Sequence, residues 1–208
     1  MTKKEFILDI LRKPDEDNTF KGPASIAYVI AVMAHNGQYR DNGMAYINHP
    51  RHCANMYTDL LTLHGWRGIS AFRNSGLPCS GVPEVAYLHD VVEDTELTHE
   101  DIRDIYADRG FAEYFDKYID VPLYLITHDK KDSYDVYINN VLKHPISALV
   151  KMFDLADNMN LFGLKEVGEK ELDRVVRYAH YFKQINDKYH FLERLPKHRE
   201  ELGEEWSD

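Results

Sequence analysis

Tyr87-Leu88-His89-Asp90-Val91-Val92-Glu93-Asp94-Thr95 is the stretch from which the rest of the chain is read. At helical spacing His89 falls one turn before Glu93 and Asp90 one turn before Asp94, so two neighbouring rows each carry two groups able to bind metal or move protons. Val85 and Val92 share the stripe of His89 and Glu93, and Ala86 that of Asp90 and Asp94. Part of this polar surface therefore turns towards a core. Three carboxylates and an imidazole half-buried so close together repel one another and lose hydration unless a cation or a reacting group compensates them. A divalent metal is the simplest compensation. An acid pair alone would read as the solvated face of a helix. The His-Asp dipeptide set between Leu88 and Val91 favours the metal, provided other elements supply further ligands.

Composition bounds the remaining readings. A chain of 208 residues with 44% hydrophobic residues and 14 Tyr is expected to form one domain over 1–208, neither disordered nor membrane-spanning. The N-terminus from Met1 to Phe6 lacks the apolar run of a signal peptide, and Cys53 and Cys79 form no CxxC pair, so a cytoplasmic protein with free thiols is expected. Thiolate ligation of a metal is not expected. A net charge of -10, with no basic stripe interleaved with aromatics, disfavours a nucleic-acid polymer as partner but allows a small anionic substrate in a screened cleft. Nothing in the sequence supports a particular oligomer.

The hydrophobic periodicity is helical throughout and predicts an all-α bundle. Helices are expected over residues 3–13, ending before Pro14 and the Asp15–Asn18 loop, and from Pro23 to about His35, with Gly37 beyond the end. Asn42-Gly43 marks a turn, and Pro50 opens a helix over 51–64, which places His49 at a helix entrance and leaves His52 as a capping or surface residue. Gly65–Gly81, with Trp66 and Phe72, reads as a loop of the length that serves as a lid, a partner contact or a tolerated insertion. Thr98 caps a helix that stops near Arg109-Gly110. Pro122 is expected to break or kink the run 111–127. Ser133–Lys143 and the segment opened by Pro145 are further helices. A long helix over 169–193, with Leu172, Val175, Val176, Ala179, Phe182 and Ile185 inward, closes the bundle ahead of a frayed acidic tail, 200–208.

The helix opened by Pro145 holds the second informative stretch, Lys151-Met152-Phe153-Asp154-Leu155-Ala156-Asp157-Asn158-Met159. Val150, Asp154, Asn158 and Leu161 share one stripe, so an acid and an amide again occupy an apolar face, with Asp157 at the rim. The expected constellation is a metal held by His49, the adjacent pair His89 and Asp90, and Asp154, from three helices. Two imidazoles and two carboxylates suit a borderline divalent ion such as Mn²⁺, Fe²⁺ or Zn²⁺.

This order of His, His-Asp and Asp on a helical chain resembles the HD superfamily of metal-dependent phosphohydrolases. Arg40 with Gly43 and Tyr46-Ile47-Asn48-His49-Pro50, then Leu88 to Thr95, then Lys151, Asp154 and Asn158-Met159, are similar to the hydrolase domain of the RelA/SpoT enzymes and to the stand-alone small alarmone hydrolases, over roughly residues 24–163. The chain departs from that branch in three respects, one of them that the synthetase half of the long enzymes is absent. His49 and His89 are 40 positions apart, the surplus falling in Gly65–Gly81, and no basic residue follows the last acidic motif.

The resemblance implies an HD-type bundle that removes the 3′-pyrophosphate of ppGpp or pppGpp with Mn²⁺, the family's ligands falling on His49, His89, Asp90 and Asp154. It implies Glu93 and Asp94 as the catalytic pair, Arg40 against the base and Asn158 on the ribose. Lys151 and His35 complete the expected substrate-binding set. A divalent ion acidifies water, and two adjacent carboxylates can orient it and take its proton. The alternatives are another nucleotide phosphohydrolase, acting on NADPH at the 2′-phosphate or resembling a 5′-nucleotidase, and a nucleotide-binding module without turnover. The charged pair Glu93 and Asp94, of little use to a pure binder, argues against the last.

Overall fold

The computed structural model describes residues 1–13, 22–62 and 76–195. Its elements are α1 (Lys3–Arg12), α2 (Pro23–Ala34), α3 (Asn48–Thr62), α4 (Val82–Leu88), α5 (Val91–Asp94), α6 (His99–Asp108), α7 (Ala112–Tyr118), α8 (Asp120–Ile126), α9 (Tyr134–Val141), α10 (Pro145–Asn158), a 3₁₀ turn (Leu161–Gly163), α11 (Glu169–Tyr189) and α12 (Phe191–Arg194). Among the described residues the only extended pairing is an isolated antiparallel bridge between Tyr39 and Ala45, so the fold is all-helical. The expected Gly65–Gly81 loop is described only from Gly76. Trp66, Phe72, Pro14, the Asp15–Asn18 loop and the tail from Glu200 lie outside the described residues. Among the described residues no helix is long and apolar enough to cross a membrane.

Helix α4 stands at the centre because its sequence offers almost no polar face. Val82, Val85, Ala86 and Leu88 are fully buried, and α2, α3, α8 and α10 all pack against it. Gly81 fixes its start, with φ +85°, and a Cβ there would lie 2.4 Å from the carbonyl oxygen of Tyr118 at the end of α7. Only glycine accepts both the left-handed backbone and that approach. At the periphery, α1 buries Ile7 and Leu11 and clamps α6 through Lys4 to Asp101 and Asp104 and Arg12 to Asp108. The two aliphatic side chains contribute about 1.5–3 kcal/mol each, more than such surface ion pairs do.

Three elements differ from the sequence expectation. Pro122 does not break its run: the break comes at Ile119, and Pro122 sits in the first turn of α8, where its missing N–H costs nothing. The long C-terminal helix ends at Tyr189, since His190 adopts a left-handed conformation (φ 53°) that turns the chain into α12. The inward side of α11 has Tyr181 and Ile185 buried and Val175, Tyr178, Phe182 and Tyr189 partly so, whereas Leu172, Val176 and Ala179, also expected inward, are exposed. The third difference is in the opening stretch itself. It is not one continuous helix: α4 stops at Leu88, His89 and Asp90 form a turn in which Asp90 (φ -99°, ψ -7°) lies at the margin of the right-handed helical region, and α5 restarts at Val91.

Candidate metal centre and adjoining cleft

That bend builds the site. On a regular helix neighbouring side chains diverge by about 100° and cannot face one target. Here His89 Nε2 and Asp90 Oδ2 are 3.2 Å apart. His49, on the first turn of α3, brings its Nε2 to 3.3 Å from His89 Nε2, 3.5 Å from Asp90 Oδ2 and 3.0 Å from Asp154 Oδ1. Asp154, from the middle of α10, lies 3.7 Å from His89 Nε2. The four residues expected as ligands thus converge, from α3, the α4–α5 bend and α10. A first-row ion with bonds of about 2.0–2.2 Å would hold tetrahedral ligand atoms about 3.3–3.6 Å apart, so the spacing suits such an ion.

The hydrogen bonds on the far ring edges point the same way. His89 Nδ1 donates to the Ala86 carbonyl at 2.8 Å, and His49 Nδ1 donates to Asp157 Oδ2 at 2.6 Å. With Nδ1 protonated, each neutral ring turns a lone pair inward, where two carboxylates already face. Two imidazole lone pairs facing two carboxylates, which already accept from Tyr46 at Asp90 and from Asn158 and Lys151 at Asp154, leave an inward point that protons on the rings or a metal would fill. Burial alone would lower the pKa of both imidazoles, but the surrounding carboxylates, Asp154 and Asp157 at His49 and Asp90 and Asp154 at His89, raise them well above the usual histidine range. Against burial, His89 and His49 hold the Asp90 carboxyl low, and Lys151 with the two histidines does so for Asp154. Without a metal the charge balance falls to protons on the rings.

A thiol also stands here, contrary to the sequence expectation. His49, Cys53 and His89 form a buried group whose potential ligand atoms lie within 4.8 Å of one another, close enough to hold a metal ion. Cys53 Sγ approaches His49 from the Nδ1 edge, at 4.0 Å, the edge that Asp157 also occupies, and not from the Nε2 edge that faces Asp90 and Asp154. The His-x₃-Cys spacing, one helical turn, was the signal for it in the sequence.

Asp157 is a second correction. Expected at the rim, it is 6% exposed and ties three residues together: Oδ2 accepts from His49 Nδ1 and from Arg40 Nη1 at 2.9 Å, and Oδ1 lies 3.1 Å from His52 Nδ1. Asn158 donates to Asp154 Oδ1 at 2.5 Å and accepts from Arg40 Nη2 at 2.6 Å. Arg40 is delivered by the Asn42-Gly43 turn, which closes through Gly43 N–H to the Arg40 carbonyl and sets Gly43 at φ +81°. Arg40 therefore reaches two candidate ligands, each through one intermediary.

Glu93 and Asp94 occupy α5, just past the bend. Glu93 is half-buried and accepts from the His128 backbone N–H at 3.3 Å. Burial raises its carboxyl pKa, opposed by that bond and reinforced by the charges of Asp90 and Asp94. Asp94 is exposed, and the Tyr46 hydroxyl lies 3.1 Å from its Oδ2 and 2.8 Å from Asp90 Oδ2. Tyr46, present in the quoted motif but not among the expected site residues, so links a candidate ligand to the candidate catalytic pair.

Two expected substrate-binding residues are placed behind the cluster. Lys151 is buried, paired with Asp154 Oδ2 at 2.7 Å and set over the Tyr137 and Tyr134 rings at 4.8 and 5.5 Å. His35 is 2% exposed, packed against the Tyr46 ring at 4.7 Å and hydrogen-bonded to Gln38 at 2.7 Å. Arg40 and Asn158, by contrast, line an open cleft of about 220 Å³ together with Asn48, His52, Asp157 and residues of the following turn and α11. A scan against protein-family models finds no match for this chain.

Proposed function

We propose that the protein is a metal-dependent phosphohydrolase of the HD type that removes the 3′-pyrophosphate of ppGpp or pppGpp, water being consumed and GDP or GTP plus pyrophosphate released. The observation that carries this reading is the convergence of His49, His89, Asp90 and Asp154 beside a cleft lined by Arg40 and Asn158. Mn²⁺ is the ion we assign, with Fe²⁺ or Zn²⁺ as alternatives compatible with the same nitrogen and oxygen donors. When bound, such an ion supplies charge stabilisation for phosphoryl oxygens and acidifies water.

The chain's own groups do the remainder. Asp157 fixes the ring of His49, and the Ala86 carbonyl that of His89, so both present Nε2 inward. Glu93, whose half-buried carboxyl holds a proton more readily than a surface glutamate, is the acid-base group. Asp94, held beside Asp90 by the Tyr46 hydroxyl, orients the attacking water. Arg40 uses its edge on Asp157 and Asn158, which leaves its planar face for the purine. Asn158 stands between Arg40 and Asp154, where a ribose would bridge base and reacting phosphate.

A second reading is a buried structural metal held by His49, Cys53 and His89, which the proximity of the thiol favours. The experiment that tests the enzymatic reading offers purified protein and Mn²⁺ with ppGpp, pppGpp, ppApp, NADPH and nucleoside monophosphates. Pyrophosphate release from the guanosine tetra- and pentaphosphates supports it. Orthophosphate release from NADPH or a monophosphate moves the assignment to another phosphohydrolase, and no turnover of any of them removes it.

A further inference from the structure

The cleft beside the ligand cluster is also lined by Phe162 and Arg174. Its two arginines are in different states. Arg40 has its guanidinium edge on Asp157 and Asn158, and its charge is offset by Asp157. Arg174, reaching in from α11, has no carboxylate partner among the described residues, and its Nε is buried without a hydrogen-bond acceptor. A guanidinium that lines a cleft and is not matched by a carboxylate there is available to an anionic ligand.

Phe162 stands in the 3₁₀ turn Leu161–Gly163 with its side chain fully exposed, 103% of the reference area. Its backbone is nevertheless pinned, since Asn160 Oδ1 accepts the Phe162 N–H at 3.1 Å. An aromatic ring exposed at the edge of a cleft offers a stacking surface to a base. Local charge agrees with an anionic guest: the cleft is lined by as many arginines as aspartates in a chain whose net charge is -10.

Resting on the nucleotide reading above, we propose that Arg174 binds a phosphate of the nucleotide other than the one cleaved, and that Phe162 stacks on its base. The ligand class is a nucleoside carrying a 5′-phosphate or diphosphate, gripped by ring and anion independently of the metal ligands. Recognition of the 5′ side then resides in α11 and the turn before it, outside the stretches that carry the metal.

The test is equilibrium binding of GDP and of guanosine to the purified full chain as isolated, by calorimetry, with metal content and helical circular dichroism matched across variants. Arg174→Ala is expected to weaken GDP about ten- to a hundredfold and guanosine hardly at all, the loss of a charge-assisted bond to phosphate. Arg174→Lys should recover only part of that affinity. Phe162→Ala should weaken GDP and guanosine about equally. Undiminished GDP affinity in Arg174→Ala, or equal losses for GDP and guanosine in that variant, overturns the assignment. Alarmone turnover with GDP affinity untouched by Arg174→Ala leaves the hydrolase reading standing and removes Arg174. Selective loss of GDP in a protein that hydrolyses nothing does the reverse.

Discussion

Asp157 Oδ2 lies 2.6 Å from His49 Nδ1 and 2.9 Å from Arg40 Nη1, so one carboxylate oxygen joins the inward-facing imidazole to the guanidinium of the cleft. Carboxylates in this position set the tautomer and orientation of a ligating histidine, and their removal typically costs about 10- to 100-fold in metal affinity. Asp157→Ala should therefore lower Mn²⁺ affinity by that factor and also loosen Arg40, whereas Asp157→Asn, which keeps an acceptor, should lose less. Equal Mn²⁺ affinity in Asp157→Ala and the unaltered protein would reduce Asp157 to a packing residue.

Glu93→Gln and Asp94→Asn should retain metal and lose most of the rate. General acid-base groups contribute about 10²- to 10⁴-fold, whereas acids on an idle helix turn contribute almost nothing. The measurement is kcat on ppGpp at matched metal occupancy. Near-normal rates in both variants would leave a nucleotide-binding module.

Arg40→Ala should raise KM for the guanine nucleotide by a factor corresponding to about 1–2 kcal/mol while leaving metal content near normal. Because Arg40 also holds Asn158, the loss should exceed that of Asn158→Ala alone. A KM unchanged for every accepted nucleotide would place Arg40 outside recognition.

Glu84 offers a test of the core separate from the site. It is 3% exposed, accepts from the Tyr114 hydroxyl at 3.0 Å on Oε1, and has Oε2 buried without a partner. Burial raises its carboxyl pKa above the ordinary 4.5. A raised carboxyl favours the protonated folded state, so its stabilising share is complete below pH 4.5 and is lost as pH rises through the folded value. Glu84→Gln, which cannot ionise, should therefore gain in Tm over the unaltered protein between pH 5 and pH 8, at about 2–4 °C for each kcal/mol recovered. A Tm difference independent of pH would show that Glu84 carries the same charge state throughout.

The parts of this site that were legible in the sequence are those where a polar residue breaks an apolar stripe. Asp154 and Asn158 announced themselves that way, as did the His-Asp between Leu88 and Val91. What the stripe could not give is partnership between helices. Asp157 is buried because the first turn of α3 packs His49 and His52 against it, a fact absent from the local pattern of α10. Lys151 shares a helical face with Asp154 and pairs with it under two tyrosine rings, where the sequence suggested a reach towards substrate. The bend at Asp90 was invisible for a different reason: every residue from Tyr87 to Val92 is compatible with a helix, and no proline or glycine marks the interruption. That bend is nonetheless what lets two adjacent side chains face one point.

The proposed hydrolase needs one divalent ion held jointly by His49, His89, Asp90 and Asp154. The most direct measurement is Mn²⁺ titration of the unaltered protein, Asp90→Asn and Cys53→Ser, with bound metal quantified per chain. About one tightly bound ion is expected in the unaltered protein and in Cys53→Ser, and its loss in Asp90→Asn while the helical fold survives. Tight binding retained in Asp90→Asn and lost in Cys53→Ser would contradict the claim and assign the ion to His49, Cys53 and His89.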